Sequence, residues 1–103
     1  MAIKIVIERS VSPDNPGEVA ELLKELRAKA VRQPGYISGE TLFSVEHAGT
    51  HVTISTWESL REWKAWEKNP ERIDLVNRIE KLLRSKSKLS VYATTPRSIA
   101  EGV

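Results

Sequence analysis

The sequence contains no cysteine in its 103 residues. This excludes disulfide bonds, thiolate metal sites and a cysteine nucleophile, and it is typical of a reducing compartment. No apolar run approaches the length of a membrane span. The opening segment, MAIKIVIERSV, alternates apolar and charged side chains, whereas a signal peptide needs an unbroken apolar stretch. These features predict a soluble, cytoplasmic protein that does not associate with a membrane.

The chain also lacks a strong charge of one sign. Sixteen Lys and Arg residues and 14 Asp and Glu residues leave a net charge of +2 and a pI near 9.0. The cations are dispersed, and the short run RSKSK is too small for a nucleic-acid site, so we expect no nucleic-acid partner. The length fits one domain, which we place at residues 1–95. A flexible tail is expected at residues 96–103.

Two different hydrophobic periods divide the first third of the chain. Ile3, Ile5 and Ile7 recur at every second position, which predicts a strand from about Ala2 to Val11. The following segment, SPDNPGEVAELLKELRAKAV, has the period of an amphipathic helix. Its apolar face comprises Val19, Leu22, Leu23, Leu26 and Ala30, and Asn15 and Glu18 are placed as capping residues.

The rest of the chain repeats this alternation. Residues 36–45 and 50–57 read as a hairpin closed by the short link EHAG. A helix is expected from Leu60 to Asn69, where Pro70 ends it, and Asn69 then caps another helix. SKLSVYATT returns to the spacing of a strand. The predicted buried stripe of the last helix comprises Ile73, Val76, Ile79, Leu82 and Leu83.

The fold class follows from the order of these elements. Strand, helix, two strands, helix and strand form the ferredoxin-like βαββαβ pattern of an α+β domain. Its antiparallel sheet has helices on one face only, so the other face needs a cover. A second copy of the chain would supply one, and we therefore expect a homodimer.

Aromatic residues make up only 6% of the chain, yet all three tryptophans fall in one short stretch, WESLREWKAWEKNPER. Trp63 and Trp66 lie three residues apart and follow Leu60 at the same spacing, as in the buried stripe of a helix. An indole also supplies a flat apolar wall and one N–H donor, which suits a planar aromatic ligand. A core role and a pocket role are both open on this pattern, and Trp57 shares this ambiguity.

The turn into the second strand, PGYISGETL, and the segment ISTWESLREWKAWEKNPER resemble the antibiotic biosynthesis monooxygenase family of dimeric α+β barrels. The resemblance spans nearly the whole chain. It implies a homodimer with a small pocket between sheet and helices in each subunit. It further implies a monooxygenase that oxidises a small phenolic or quinol-type molecule with O2 and no cofactor. A non-catalytic dimeric module that binds a small hydrophobic or aromatic molecule is the alternative.

Haem degradation, which some members of this family perform, is disfavoured by two positions. Trp66 matches a tryptophan of the haem-degrading relatives. The position of their ligating histidine is Val76 here, and a valine side chain has no lone pair for iron. Their asparagine in the first strand is also missing, because no asparagine occurs between Met1 and Val11.

The candidate site residues divide by role. We expect Trp66, Trp63 and Trp57 to bind substrate. His51 is the candidate base because its imidazole titrates near neutrality, and Glu40, beside Gly39, is a candidate catalytic carboxylate. Arg9 and Asn77 are candidates for holding an oxyanion. His47 and His51 flank the predicted hairpin turn with no third ligand close in sequence, so we expect no metal site.

Overall fold

The computed structural model describes residues 1–96, so all but the first residue of the expected tail at 96–103 lies outside the described part. Four strands and three helices form in this part of the chain. Their bounds are β1 (Ile3–Ser10), α1 (Pro16–Ala30), β2 (Tyr36–Phe43), β3 (Thr50–Trp57), α2 (Leu60–Glu67), α3 (Pro70–Glu80) and β4 (Lys88–Ala93). None of the described helices is long and apolar enough to span a membrane.

The four strands form one sheet in the order β2-β3-β1-β4, and all three neighbouring pairs are antiparallel. This is the ferredoxin-like arrangement that the sequence predicts, with the second helical segment divided into α2 and α3. Gly49 closes the β2–β3 hairpin at a positive φ of 90°, a conformation that glycine adopts without steric cost.

The core lies between the sheet and the helices. The predicted period of β1 is confirmed, because Ile3, Ile5 and Ile7 are all buried on this side. They form one cluster with Trp57, Trp63, Trp66 and Ala30. A second cluster joins α1 to α3 and is formed by Leu22, Leu75 and Ile79.

The buried stripe of α3 differs from the predicted one. Ile73 is 45% exposed, and the buried positions are Arg72, Leu75 and Ile79. Both sets have helical spacing, and the one in the structure places a long arginine against the core, where its aliphatic stem can pack. The prediction is confirmed at Ile79 and wrong at Ile73, and it omitted Arg72 and Leu75. Leu82 and Leu83, which were placed on the same stripe, follow the end of α3 and pack against the second cluster.

The predicted helix caps are only partly realised. The Asn69 side chain accepts a hydrogen bond from the Glu71 backbone N–H at 2.8 Å, as expected of a cap. Asn15 makes no such bond at the start of α1. At the start of α2, the Ser59 side chain bonds to that of Glu62 and makes no capping hydrogen bond to the backbone. α2 ends at Glu67, two residues before the expected position.

The sheet face opposite the helices carries a mixture of apolar and charged side chains. Val6 and Ile54 lie opposite each other in the β1–β3 register, with Lys4 and Thr56 as the next pair on the same face. Tyr92 on β4 pairs with Lys4 and is exposed. The homodimer stays a prediction, and this face is its expected interface.

We expect sedimentation equilibrium at micromolar concentration to give twice the chain mass of 11.6 kDa. Ile54→Glu should shift the equilibrium toward monomer, because it places a charge where the two faces meet. Val45→Glu, at a fully exposed position in the hairpin, is the control. A wild-type protein that sediments as a monomer across this range would contradict the dimer.

Candidate functional site

A cavity of about 70 Å³ lies between the sheet and the helices, beside the tryptophan cluster. A closed cavity of about 150 Å³ holds one benzene ring, so this space alone is large enough only for a few waters. The cavity is partly open to the surface, and part of an aromatic ring bound there would extend through this opening. The cavity exists because the strand positions below it are small. Gly39 and Ser55 lie opposite each other in the β2–β3 register, as do Thr41 and Thr53, and none of these side chains fills the space.

One wall of the cavity is aromatic. Trp57 packs edge-on against Tyr36, with ring centroids 5.4 Å apart, and against Trp63 at 5.8 Å. The Trp57 Nε1 donates to the Ser55 hydroxyl at 3.0 Å. The Trp63 Nε1 is buried and has no hydrogen-bond partner within the described residues. With Trp66, which also lines the cavity, these rings form a surface suited to a planar ligand.

Gly39 has a steric role at the floor of this cavity. A Cβ atom at this position would lie 2.5 Å from the Tyr36 hydroxyl, which is much closer than non-bonded atoms approach. The glycine therefore lets the tyrosine ring lie across β2. The pairing of β2 with β3 is irregular between Tyr36 and Ser38, immediately before this glycine in the strand.

The charged part of the lining is cationic. Three arginines, Arg9, Arg27 and Arg72, line the cavity, and none of the Asp, Glu or His residues in the described part of the chain does. Arg27 is held in place, because its guanidinium donates to the Gly39 carbonyl at 3.3 Å and to the Thr41 hydroxyl at 3.0 Å. None of the three arginines forms a salt bridge among residues 1–96.

Arg9 is the most buried of these cations, with 3% of its surface exposed. Its Nη1 donates a long hydrogen bond of 3.4 Å to the Thr53 hydroxyl, and its Nε has no partner among the described residues. Burial lowers the pKa of Arg9 to about 10, partly offset by the charge of Glu80 and reinforced by that of Arg72. Arg9 is thus protonated at neutral pH.

Arg72 is held between an indole and a backbone carbonyl. Its guanidinium lies 5.0 Å from the centroid of the Trp63 ring, a cation–π distance. Its Nη1 donates to the Glu67 carbonyl at 3.5 Å. Burial lowers the pKa of Arg72, against the smaller opposing effect of the Glu67 charge.

His51 lies on the same side of the sheet, at the edge of this site. It pairs with Arg9 in the β1–β3 register and packs edge-on against Phe43, with ring centroids 4.7 Å apart. It lines a neighbouring groove that shares Arg27 and Thr41 with the cavity. Its Nδ1 is buried without a partner in the described part of the chain. Burial and, secondly, the Arg9 charge lower the pKa of His51, which favours a neutral imidazole.

We therefore expect the His51 imidazole to titrate below its ordinary pKa of about 6.5. The unfolded chain then binds this proton more tightly, so stability should fall as the pH drops through 6.5 toward the folded-state pKa. NMR of the His47→Gln variant isolates the His51 signal. Adding Arg9→Met should raise the midpoint, because it removes a nearby positive charge. A midpoint above 6.5, or one insensitive to Arg9→Met, would contradict this electrostatic picture.

The structure brings some of the predicted site residues together and separates others. Trp57, Trp63, Trp66 and Arg9 line the cavity, and His51 adjoins it. Glu40 is exposed and pairs with Ile54; it lines a shallow depression on the opposite face of the sheet. Asn77 is exposed on α3 and is not among the residues of the cavity. Glu40 and Asn77 therefore do not contact a molecule held there by the same chain.

Several lining residues were missed by sequence reasoning. Arg27 and Arg72 lie on helices among many exposed cations, so composition does not distinguish them. The strands carry a signal that could have located the cavity. The helix-facing positions in the first part of β1 are isoleucines, whereas the central helix-facing positions of β2 and β3 are small or polar: Gly39, Thr41, Thr53 and Ser55. Small polar residues facing a core leave space there, and this contrast marks the cavity.

Within residues 1–96, no group of three His, Asp or Glu side chains is placed to hold a metal ion.

One known protein family matches most of this chain. The model of one family, antibiotic biosynthesis monooxygenase, matches residues 2–78. The chain belongs to this family. No curated protein sequence matches the chain.

Several solved structures share the fold of this chain. A conserved protein from Methanosarcina mazei superimposes with a TM-score of 0.87 at 16% identity, covering 92% of this chain and 94% of that one. SnoaB from Streptomyces nogalater, a cofactor-independent oxygenase, gives 0.82 at 17% identity, with 92% and 94% covered. A putative antibiotic biosynthesis monooxygenase from Caulobacter crescentus gives 0.85 at 14%, with 92% and 91% covered. At these identities the likeness shows the fold alone.

Proposed function

We propose that this protein is a cofactor-independent monooxygenase that oxidises a small planar phenol or quinol with O2. One observation carries the proposal: a member of a monooxygenase family has a small cavity with aromatic walls and protonated arginines. The substrate is held as an anion, because the described residues of the cavity supply positive charge and no carboxylate. In the proposed homodimer each subunit has its own cavity.

The reaction balances without an added reductant when the substrate supplies all the electrons. A quinol and O2 give a hydroxyquinone and water: one oxygen atom replaces a ring hydrogen, and the other leaves as water. The quinol is oxidised by four electrons, and O2 is reduced by four. The first step is loss of a phenolic proton, since the phenolate transfers an electron to O2 far more readily than the phenol does.

The residues in and beside the cavity are placed to bind the ring, to stabilise its negative oxygen and to accept its proton. Trp63 and Trp66 hold the ring and exclude water, which strengthens every electrostatic interaction inside. Arg72, which lies over the Trp63 ring, stabilises the negative oxygen and so lowers the pKa of the bound phenol. His51 is the candidate to accept the proton, because its lowered pKa keeps the imidazole neutral and its groove shares Thr41 with the cavity.

Haem does not fit this site. The cavity is far smaller than a porphyrin, and the position expected to carry an axial ligand is Val76, which does not line it. The Trp66 position by itself supplies no iron ligand. The proposed reaction does not use haem.

A binding module without catalysis is the second candidate, and one feature favours it. Within residues 1–96, no carboxylate or imidazole lines the cavity, so a bound phenol has no base from this part of the chain in direct contact. A protein that only sequesters a small aromatic anion would need the tryptophans and the arginines but not His51.

Oxygen uptake separates these two functions. Metal-free and flavin-free protein is mixed with a panel of one-ring phenols and quinols in an oxygen electrode, and binding to the same compounds is followed by tryptophan fluorescence under nitrogen. The monooxygenase should consume one O2 per quinol and release hydroxyquinone. Binding with no uptake above the uncatalysed rate, for every compound that binds, would favour the module.

Trp66→Phe tests the role of the indole that faces the cavity. Phenylalanine keeps most of the apolar burial, so we expect a loss of only about 1–2 kcal/mol in the free energy of unfolding. Turnover or binding of a planar quinol should fall by about 10-fold, because the flat wall becomes smaller. Both are measured on one preparation, by urea unfolding and by oxygen uptake. Unchanged turnover would remove Trp66 from the site and leave it a core residue.

A further inference from the structure

Arg9 is the feature of the cavity that the proposed function does not fully use. It is 3% exposed, its Nε donates to no described group, and a pKa near 10 keeps it charged. A buried cation without a hydrogen-bonded counter-charge costs several kcal/mol. Such an unpaired group inside a cavity indicates a ligand that completes it.

Glu80 is the opposing charge that acts on Arg9, but it is not a hydrogen-bonded counter-charge for this guanidinium. Its carboxylate raises the pKa of Arg9, but it forms no salt bridge with any described residue and does not line the cavity. One Glu80 oxygen accepts from the Ser87 backbone N–H at 3.0 Å, and the other is buried without a partner. Arg72, also buried, adds a second positive charge on the cavity side.

A second unpartnered donor belongs to a residue that lines the same small space. The Trp63 Nε1 is buried and without a partner among residues 1–96, and it lies on α2, whereas Arg9 lies on β1. A ligand that satisfies both donors needs two polar ends joined by a flat apolar body. A cavity of about 70 Å³ limits this body to roughly one ring.

We propose that the substrate is a one-ring hydroxyaromatic carboxylate, with its carboxylate on Arg9 and its phenolic oxygen near the Trp63 Nε1. This inference rests on the proposed function for the site and names its substrate class. A carboxylate is ionised at neutral pH before it binds, so it neutralises Arg9 without any proton transfer. The planar guanidinium matches a carboxylate with two parallel hydrogen bonds, which a phenolate does not form.

Binding under nitrogen tests this without any catalytic step. The probes are 4-hydroxybenzoate and 4-hydroxybenzamide, which have nearly the same shape and differ in charge. Charge-assisted hydrogen bonds predict that the acid binds about 10- to 100-fold more tightly. The comparison needs no variant, so it does not depend on how well a mutant folds. Equal dissociation constants for acid and amide would overturn the proposal.

Two variants, Arg9→Met and Arg78→Met, test whether the preference for the acid over the amide depends on Arg9. Arg9→Met should reduce acid binding to the level of the amide and leave amide binding within about 3-fold. Arg78→Met removes an exposed cation that pairs with Asp74 on α3 and should change neither. A preference that survives Arg9→Met would refute the assignment. The assignment would also be refuted if inorganic phosphate competed as effectively as the acid, because the site would then bind any anion.

The melting temperature distinguishes a ligand site from a structural pair. If Arg9 serves mainly to neutralise Glu80, Arg9→Met should lower the melting temperature strongly, Glu80→Gln should restore it, and acid and amide should bind alike. The proposal expects the acid, but not the amide, to raise the melting temperature of the wild type. Oxygen uptake is a separate readout: an acid preference without uptake supports this site while contradicting the monooxygenase.

Discussion

Replacing Trp63 with alanine is expected to lower the free energy of unfolding by about 3–5 kcal/mol, much of the total for a domain of this size. Trp63 is 2% exposed, its ring packs against Trp57, and the Arg72 guanidinium lies above it. Truncation removes both contacts and joins the vacated space to the existing cavity. Little of this loss is recoverable by local collapse, because the neighbouring indole is held by Ser55.

Urea unfolding, followed by far-UV circular dichroism, measures this change. Leu60→Ala is the matched control, because Leu60 lies one turn earlier on α2 and is 43% exposed; we expect a loss of about 1 kcal/mol or less. The two variants should show similar denaturant slopes, so the difference lies in the midpoint. A Trp63→Ala protein as stable as Leu60→Ala would show that the indole is not a core residue.

The core and pocket interpretations of the tryptophans turn out to be compatible. Trp57, Trp63 and Trp66 are all buried in the cluster with Ile5, and the same three side chains line the cavity. In a domain with one core, a ligand site between sheet and helices can only be bounded by core side chains. The sequence pattern, which marks burial, therefore cannot separate the two roles.

The order of the elements was predictable because each carries a local signal. The alternation of Ile3, Ile5 and Ile7 needs no knowledge of the partner strands, and Asn69 followed by Pro70 marks the break between α2 and α3 wherever these helices pack. These signals act within a few residues. They account for the fold class and for most element bounds to within two residues.

The set of side chains that enter the site was less predictable, because the bulge in β2 changes the face of the sheet to which each side chain points. Strict alternation from Tyr36 would place Glu40 on the cavity side. The irregularity between Tyr36 and Ser38 shifts the phase, so that Gly39 faces the cavity and Glu40 faces away. One inserted residue exchanges the two faces of a strand. The inward direction of Arg72 likewise depends on how α3 packs, which its own spacing leaves open.

Filling the cavity from α1 should abolish function without unfolding the protein. Ala30 is buried at the end of α1 and lines the cavity. Ala30→Leu places a branched four-carbon side chain into a space of about 70 Å³, which leaves no room for a ring. We expect quinol binding and turnover to fall on the order of 100-fold. The unfolding free energy should stay level or rise, since leucine is a good helix former and fills an existing void.

Ala28→Leu is the control for this variant, because Ala28 lies on the same helix and is exposed. It adds the same atoms outside the cavity, and we expect unchanged turnover. Oxygen uptake and urea unfolding are measured on both proteins, so that a loss of function is attributed to the cavity only when stability is retained. If overpacking lowers stability by 1–3 kcal/mol, the smaller Ala30→Val change tests the same point. Full turnover by a stable Ala30→Leu protein would place the reaction outside this cavity, because no ring could then lie between Trp66 and the arginines.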